Sequence, residues 1–132
     1  ERNNTIAKLL SIVEKKSKLN VQQAFDRQLE NVKNLIAQDK IDQDRLNMEI
    51  ALIADRVDIT EECVRMHSHI KLFEETCNQK GESGKKLNFI LQEMLREANT
   101  MNSKTNDIEV SHIVIKIKEE IEKLREQAQN IE

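Results

Sequence analysis

Apolar residues recur along this chain at intervals of three and four for almost its whole length, the repeat of a helix with one buried face. The first run takes Ile6, Leu9, Leu10 and Val13, thins over Lys15 to Asn20, and resumes at Val21, Ala24, Phe25, Leu29, Val32, Leu35 and Ile36. Nothing between about 3 and 38 stops a helix, and as one rod those roughly 36 residues reach about 54 Å. A compact globule of this length has a radius of gyration near only ~14 Å. Residues 1–40 are therefore predicted to form a long helical arm projecting from a domain over 41–132. The arm would pair antiparallel with another helix or with a partner chain.

A polar joint follows at Asp39 to Asp44, rich in acidic N-cap candidates. The next stripe carries Leu46, Ile50, Ile53, Ala54 and Val57. Asp58 with Glu61 three residues later resembles a capping box and starts, or kinks, a helix that runs through Ile70 and Phe73 to about Gln79. Gly81-Glu82-Ser83-Gly84 is the clear loop. Leu87, Ile90, Leu91, Met94, Leu95, Ala98 and Met101 form a further stripe, and Asn106 with Glu109 marks another start. The last stripe is Val110, Ile113, Val114, Ile117, Ile121, Leu124 and Ala128. Val110 to Lys118 is β-branched enough to pass as a strand, yet its register continues at helical spacing to Ala128. The pattern predicts an all-α fold of four to five helices with a long projecting N-terminal helix, as an antiparallel bundle or hairpin.

Composition agrees. The 132 residues are one domain by length, proline is absent, and glycine occurs only at Gly81 and Gly84. Charged residues at 34% with aromatics at 2% suit helices packed through Leu, Ile and Val under a charged outer face. The chain begins at Glu1 without methionine and is expected to be a fragment of something larger. A net charge of −3 provides no overall attraction to nucleic acid or anionic membrane. Residues 1–40 are mildly basic and 41–80 acidic, so a nucleic-acid role needs local patches, a metal ion or further chain. Cys63 and Cys77 would sit about 21 Å apart on one helix and cannot bridge. Free thiols without a signal-like segment fit a cytoplasmic protein. No apolar run reaches membrane-spanning length.

Three runs are specific enough to carry a resemblance: DRLNMEIALIADRVDITEECVRMHSHI (44–70), GKKLNFILQEMLREANTMNSKTNDIEV (84–110) and the closing LREQAQNIE. With them the segment from Asp42 to Glu132 resembles the C-terminal half of the YicC/YloC family, bacterial proteins described as stress-related endoribonucleases. The pattern QExxREANT followed by SKxND is long and irregular. The resemblance implies a metal-dependent RNA-cleaving activity in an oligomeric, ring-like assembly, with RNA and a second copy as partners and no DNA specificity. Family members carry an N-terminal domain of comparable size that has no counterpart here. Asn88 stands where the family's run usually has aspartate.

Within that segment the candidate chemistry is a polar strip between apolar stripes. Glu93 and Glu97 are four apart on one helix face, and like charges at that spacing repel unless a cation compensates. A divalent ion (Mn²⁺ or Mg²⁺) would suit such carboxylates, polarise a phosphate and acidify a bound water. Glu93, Glu97 and His69 are the expected catalytic groups, and Glu49, Glu62, Glu93 and Glu97 the expected metal ligands, Glu49 mainly by the family resemblance. His69, in a stripe with Glu62 and Arg65, is equally explained as a surface histidine. Arg45, Arg56, Arg65, Lys85, Lys86, Arg96 and Lys104 are the candidates for RNA phosphates. With no Trp or Tyr, readout by base stacking is not expected. Cys63 and His67, four apart, have no second pair to complete a zinc site.

The competing reading is a non-catalytic assembly module in which the same strip fixes helix register through buried ion pairs. Glu62, His69, Glu93 and Glu97 converging on an open cavity would favour catalysis. Burial against Arg and Lys would favour register.

Overall fold

Ile6, Leu10 and Val13 lose all solvent contact, because the first half of a 37-residue helix lies inside a bundle. The computed structural model describes residues 2–38, 43–79 and 84–131. Five helices account for nearly all of them: α1 (Arg2–Gln38), α2 (Gln43–Val57), α3 (Thr60–Cys77), α4 (Gly84–Lys104) and α5 (Ile108–Ile131). The strand alternative for 110–118 is thus settled as helix. The polar joint at 39–42 and the loop residues 80–83 lie outside the described residues.

The first half of α1 packs with α3, α4 and α5 in a ring, α1 touching α3 and α5, and α4 touching α3 and α5. Cross-links give the directions. Lys16 and Asn20 of α1 bond to Glu109 and Asp107 at the start of α5, while Asn3 at the other end reaches the Ile70 carbonyl of α3. Both α3 and α5 therefore run antiparallel to α1, which makes an antiparallel four-helix bundle. Each helix contributes a stripe at spacing three and four, such as Leu87, Leu91, Met94, Ala98 and Met101 on α4 and Val110, Val114, Ile117, Ile121 and Leu124 on α5. At about 1.5–3 kcal/mol per fully buried aliphatic side chain, this shared core is the main stabilising term.

The second half of α1 runs past the bundle. α2 contacts it, burying Ile50, and Val57 borders the same depression as Asn20 and Ala24. Helix α1 is thus half core and half extension.

Asp58 opens α3 as expected, whereas α5 starts one residue away from its expected cap. Asp58 Oδ1 accepts from the Thr60 amide at 2.9 Å and from its hydroxyl, closing the turn into α3 without Glu61. Asp107, rather than Asn106, caps α5: its Oδ1 accepts from the Glu109 amide at 2.8 Å. In both places the aspartate sits two residues before the free amide, within reach of a short side chain.

Candidate functional site

The antiparallel pairing of α3 and α4 aligns charges from both helices along one seam. Glu62 and Glu97 are almost fully buried, at 2% and 6% exposure. Arg65 lies between them, half exposed. Its Nε donates to Glu97 Oε1 at 2.9 Å and its Nη2 to Glu62 Oε2 at 3.4 Å, with Nη1 at 3.6 Å from the exposed Glu61. Lys104, at the end of α4, reaches Glu62 Oε2 at 3.0 Å and the Asp58 carbonyl at 3.4 Å. The hydrogen bond to Glu97 and the surrounding carboxylates hold the Arg65 proton more firmly than usual. Two acids and two bases thus neutralise one another across the seam, as burial of charge demands.

The remaining expected residues are spread more widely. Glu93, one turn before Glu97, is partly exposed with Arg96 Nη1 at 3.8 Å, and Arg96 itself is largely in solvent. The register that sets Arg65 on Glu97 brings half-buried His69 level with Glu93. Glu49 and Arg45 are exposed on α2 and face each other at 3.8 Å, away from the α3–α4 seam. Arg56, Lys85 and Lys86 are exposed. Of the expected RNA-binding cations, Arg65 and Lys104 are engaged by carboxylates.

A divalent ion is the group that the family resemblance implies. One oxygen of each buried acid, Glu62 Oε1 and Glu97 Oε2, lacks a hydrogen-bond partner among the described residues. The other oxygen of each acid already accepts from Arg65 or Lys104, so within this seam the charge of both carboxylates is met by bases. Among the described residues no three His, Cys, Asp or Glu side chains come together as a ligand set. Glu49, Glu62, Glu93 and Glu97 are thus not gathered into one ligand set among the described residues, and no step is assigned to a divalent ion.

Several contacts escaped the periodicity. His67 pairs with Glu14, linking α3 to α1, while Cys63 one turn earlier is buried and its thiol pushed up to about 12 by desolvation first and then by Glu14, Glu62 and Asp58. Glu14 thus lies near both Cys63 and His67, the first buried and the second exposed. Asn20 donates to Asp107 Oδ2 at 2.7 Å. That bond is the first cause of an Asp107 carboxyl below its ordinary value, with the Glu109 and Val110 amides and Lys16 assisting. No sequence signal pairs residues so far apart.

An antiparallel four-helix bundle with a buried acid–base seam between its second and third members is the class these features define. The chain belongs to the family described as Endoribonuclease YicC-like, C-terminal, whose profile matches residues 13–132. It is 48% identical over 92 residues to a protein of Clostridioides difficile (strain 630) named Probable endoribonuclease YicC, a match covering 70% of this chain and 31% of that protein. A protein of the same name from Haemophilus influenzae (strain ATCC 51907 / DSM 11121 / KW20 / Rd) is 38% identical over 96 residues, covering 73% and 33%. The chain spans about a third of the length of these curated relatives. Among the described residues no helix is long and apolar enough to cross a membrane.

Proposed function

We propose that this chain forms the C-terminal helical part of an endoribonuclease that hydrolyses RNA phosphodiester bonds. The observation that carries the reading is the family match over 13–132, together with relatives named for that activity. The geometry supports a division of labour. The Glu62–Arg65–Glu97–Lys104 seam locks α3 against α4, so Glu97 acts as a positioning residue. Glu93 and His69 keep solvent access at the same level of the bundle and are assigned the proton transfers to and from the attacking water and leaving oxygen. Exposed Lys85, Lys86 and Arg96 meet the phosphates by charge.

The test is cleavage of a labelled unpaired RNA by the product of the complete reading frame, with and without excess EDTA. Glu93→Gln should lower kcat by about 10²-fold or more while leaving the melting temperature in place. Glu97→Gln should lower the melting temperature. An unmutated protein that leaves RNA intact would end the reading. Cleavage lost in EDTA and restored by Mn²⁺ would place an ion on glutamates drawn from more than one chain.

Burial of Glu62 and Glu97 against bases favours a second reading, a non-catalytic assembly module. Met48 and Leu52 are exposed on α2, at 67% and 54%, and offer a second copy an apolar face. Under that reading the complete protein elutes as an oligomer, and Met48→Glu with Leu52→Glu dissociates it while RNA remains uncut.

A further inference from the structure

The outward face of α4 carries a stripe that the buried seam does not use. Gln92, Arg96, Asn99 and Ser103 fall at i, i+4, i+7 and i+11, so they line up along about 16 Å of helix. With Leu95 and Thr100 they line a shallow depression of about 430 Å³. No carboxylate lines it, although the chain as a whole is acidic.

Each side chain is in a state that invites a ligand. Arg96 is 75% exposed, and the carboxylate facing it, Glu93 on the same helix, stands at 3.8 Å. That is a weak surface pair, easily exchanged for a phosphate. Gln92 and Asn99 are exposed and have no hydrogen-bond partner among the described residues. The hydroxyls of Thr100 and Ser103 donate to the Arg96 and Thr100 carbonyls, which leaves their oxygens as acceptors. Half-buried Leu95 lies between the two amides as an apolar floor. By contrast Arg65 and Lys104, the cations of the α3–α4 seam, are held by Glu97 and Glu62.

We propose that this stripe is a contact for unpaired RNA: Arg96 binds a backbone phosphate while Gln92 and Asn99 hydrogen-bond the edges of bases on either side of it. The choice of polyanion rests on the endoribonuclease reading above. Amide side chains both donate and accept, as base edges do, and such edges are open to protein chiefly in unpaired RNA. A depression lined by one exchangeable cation and by amides and hydroxyls, with no carboxylate among its lining residues, complements a phosphate chain and its base edges. Binding is expected to be modest and salt-sensitive, since one guanidinium carries the charge.

The experiment is fluorescence anisotropy of an end-labelled unpaired RNA of about 12 nucleotides, titrated with this chain at several salt concentrations. Circular dichroism and elution volume are recorded for every variant. Arg96→Gln should weaken binding severalfold and reduce the salt slope by about 0.7. Gln92→Ala with Asn99→Ala should weaken it about fivefold or more at an unchanged slope. Wild-type affinity in both variants with helicity preserved overturns the proposal, as does the absence of saturable binding by the unmutated chain. A changed elution volume with unchanged RNA affinity assigns the face to a second copy and also overturns it. Cleavage by the complete reading-frame product is measured in parallel. Stripe variants that cut and bind normally sink the stripe alone, whereas an unmutated protein that binds through the stripe but never cuts sinks only the nuclease reading.

Discussion

Arg65 Nε donates to Glu97 Oε1 at 2.9 Å, joining α3 to α4 at the point where the same guanidinium also meets Glu62 and Glu61. The arginine side chain is half exposed while Glu97 is nearly dry, so the bond lets a buried carboxylate share charge with a cation that water can reach. The arrangement depends on a planar fork with several donors.

Arg65→Lys should not be conservative. One ammonium cannot serve Glu97 and Glu62 from a single position, and the melting temperature should fall by roughly 5 °C. Thermal circular dichroism decides it: a midpoint equal to that of the unmutated chain would show that the fork is dispensable.

Lys104→Met removes the closest cation from the almost fully buried Glu62. A cost of about 2 kcal/mol is expected, because the carboxylate then keeps only the longer contact to Arg65. Adding Glu62→Gln to Lys104→Met should recover much of the loss, because both charges are then gone. Urea unfolding of the two single variants and the double variant reads the coupling, and simple additivity would mean that the pair does not interact.

Asp107 links the α1–α5 contact to acid stability. Its folded carboxyl lies below the ordinary value of 3.8, through Asn20 first and then the α5 amides and Lys16. A lowered folded value means its contribution is fully present above the unfolded value and disappears as pH falls through the folded one. Asp107→Ala should therefore cost about 1 kcal/mol near neutrality as a lost helix cap, and the difference from the unmutated chain should shrink below about pH 4. Unfolding curves at pH 7 and pH 3 measure this; an equal difference at both would remove Asp107 from the acid response.

The two thiols should behave differently. Cys63 is buried with its thiol pushed up to about 12, whereas Cys77 is exposed and raised less, by partial burial and Glu74. Under native conditions at pH 8 a thiol reagent should modify Cys77 well before Cys63, with rates differing by about tenfold or more. Mass spectrometry of the labelled peptides locates the adduct, and equal rates would show that α3 opens readily from the bundle.

Much of the architecture could be read from local spacing. The stripes at Leu87–Met101 and Val110–Ala128 place their helices because the 3.6-residue repeat fixes which side chains share a face. Absence of proline left the 37-residue α1 uninterrupted. The polar strip at Glu93 and Glu97 was also visible, as was its need for a compensating cation. Which cation arrives was not visible, since Arg65 stands 32 residues away and Lys104 meets a glutamate 42 residues away.

The amino-acid order alone determined an all-α chain, its stripes and its family, because helix periodicity and motif spacing are properties of neighbours along the backbone. Only tertiary packing decided that the first half of α1 joins the core, that Glu97 answers to Arg65 instead of to Glu93's surroundings, and that Arg96 remains turned to solvent. Charge pairing across helices depends on how two rods slide and rotate against each other, and that register is set by the interlocking of every core side chain at once.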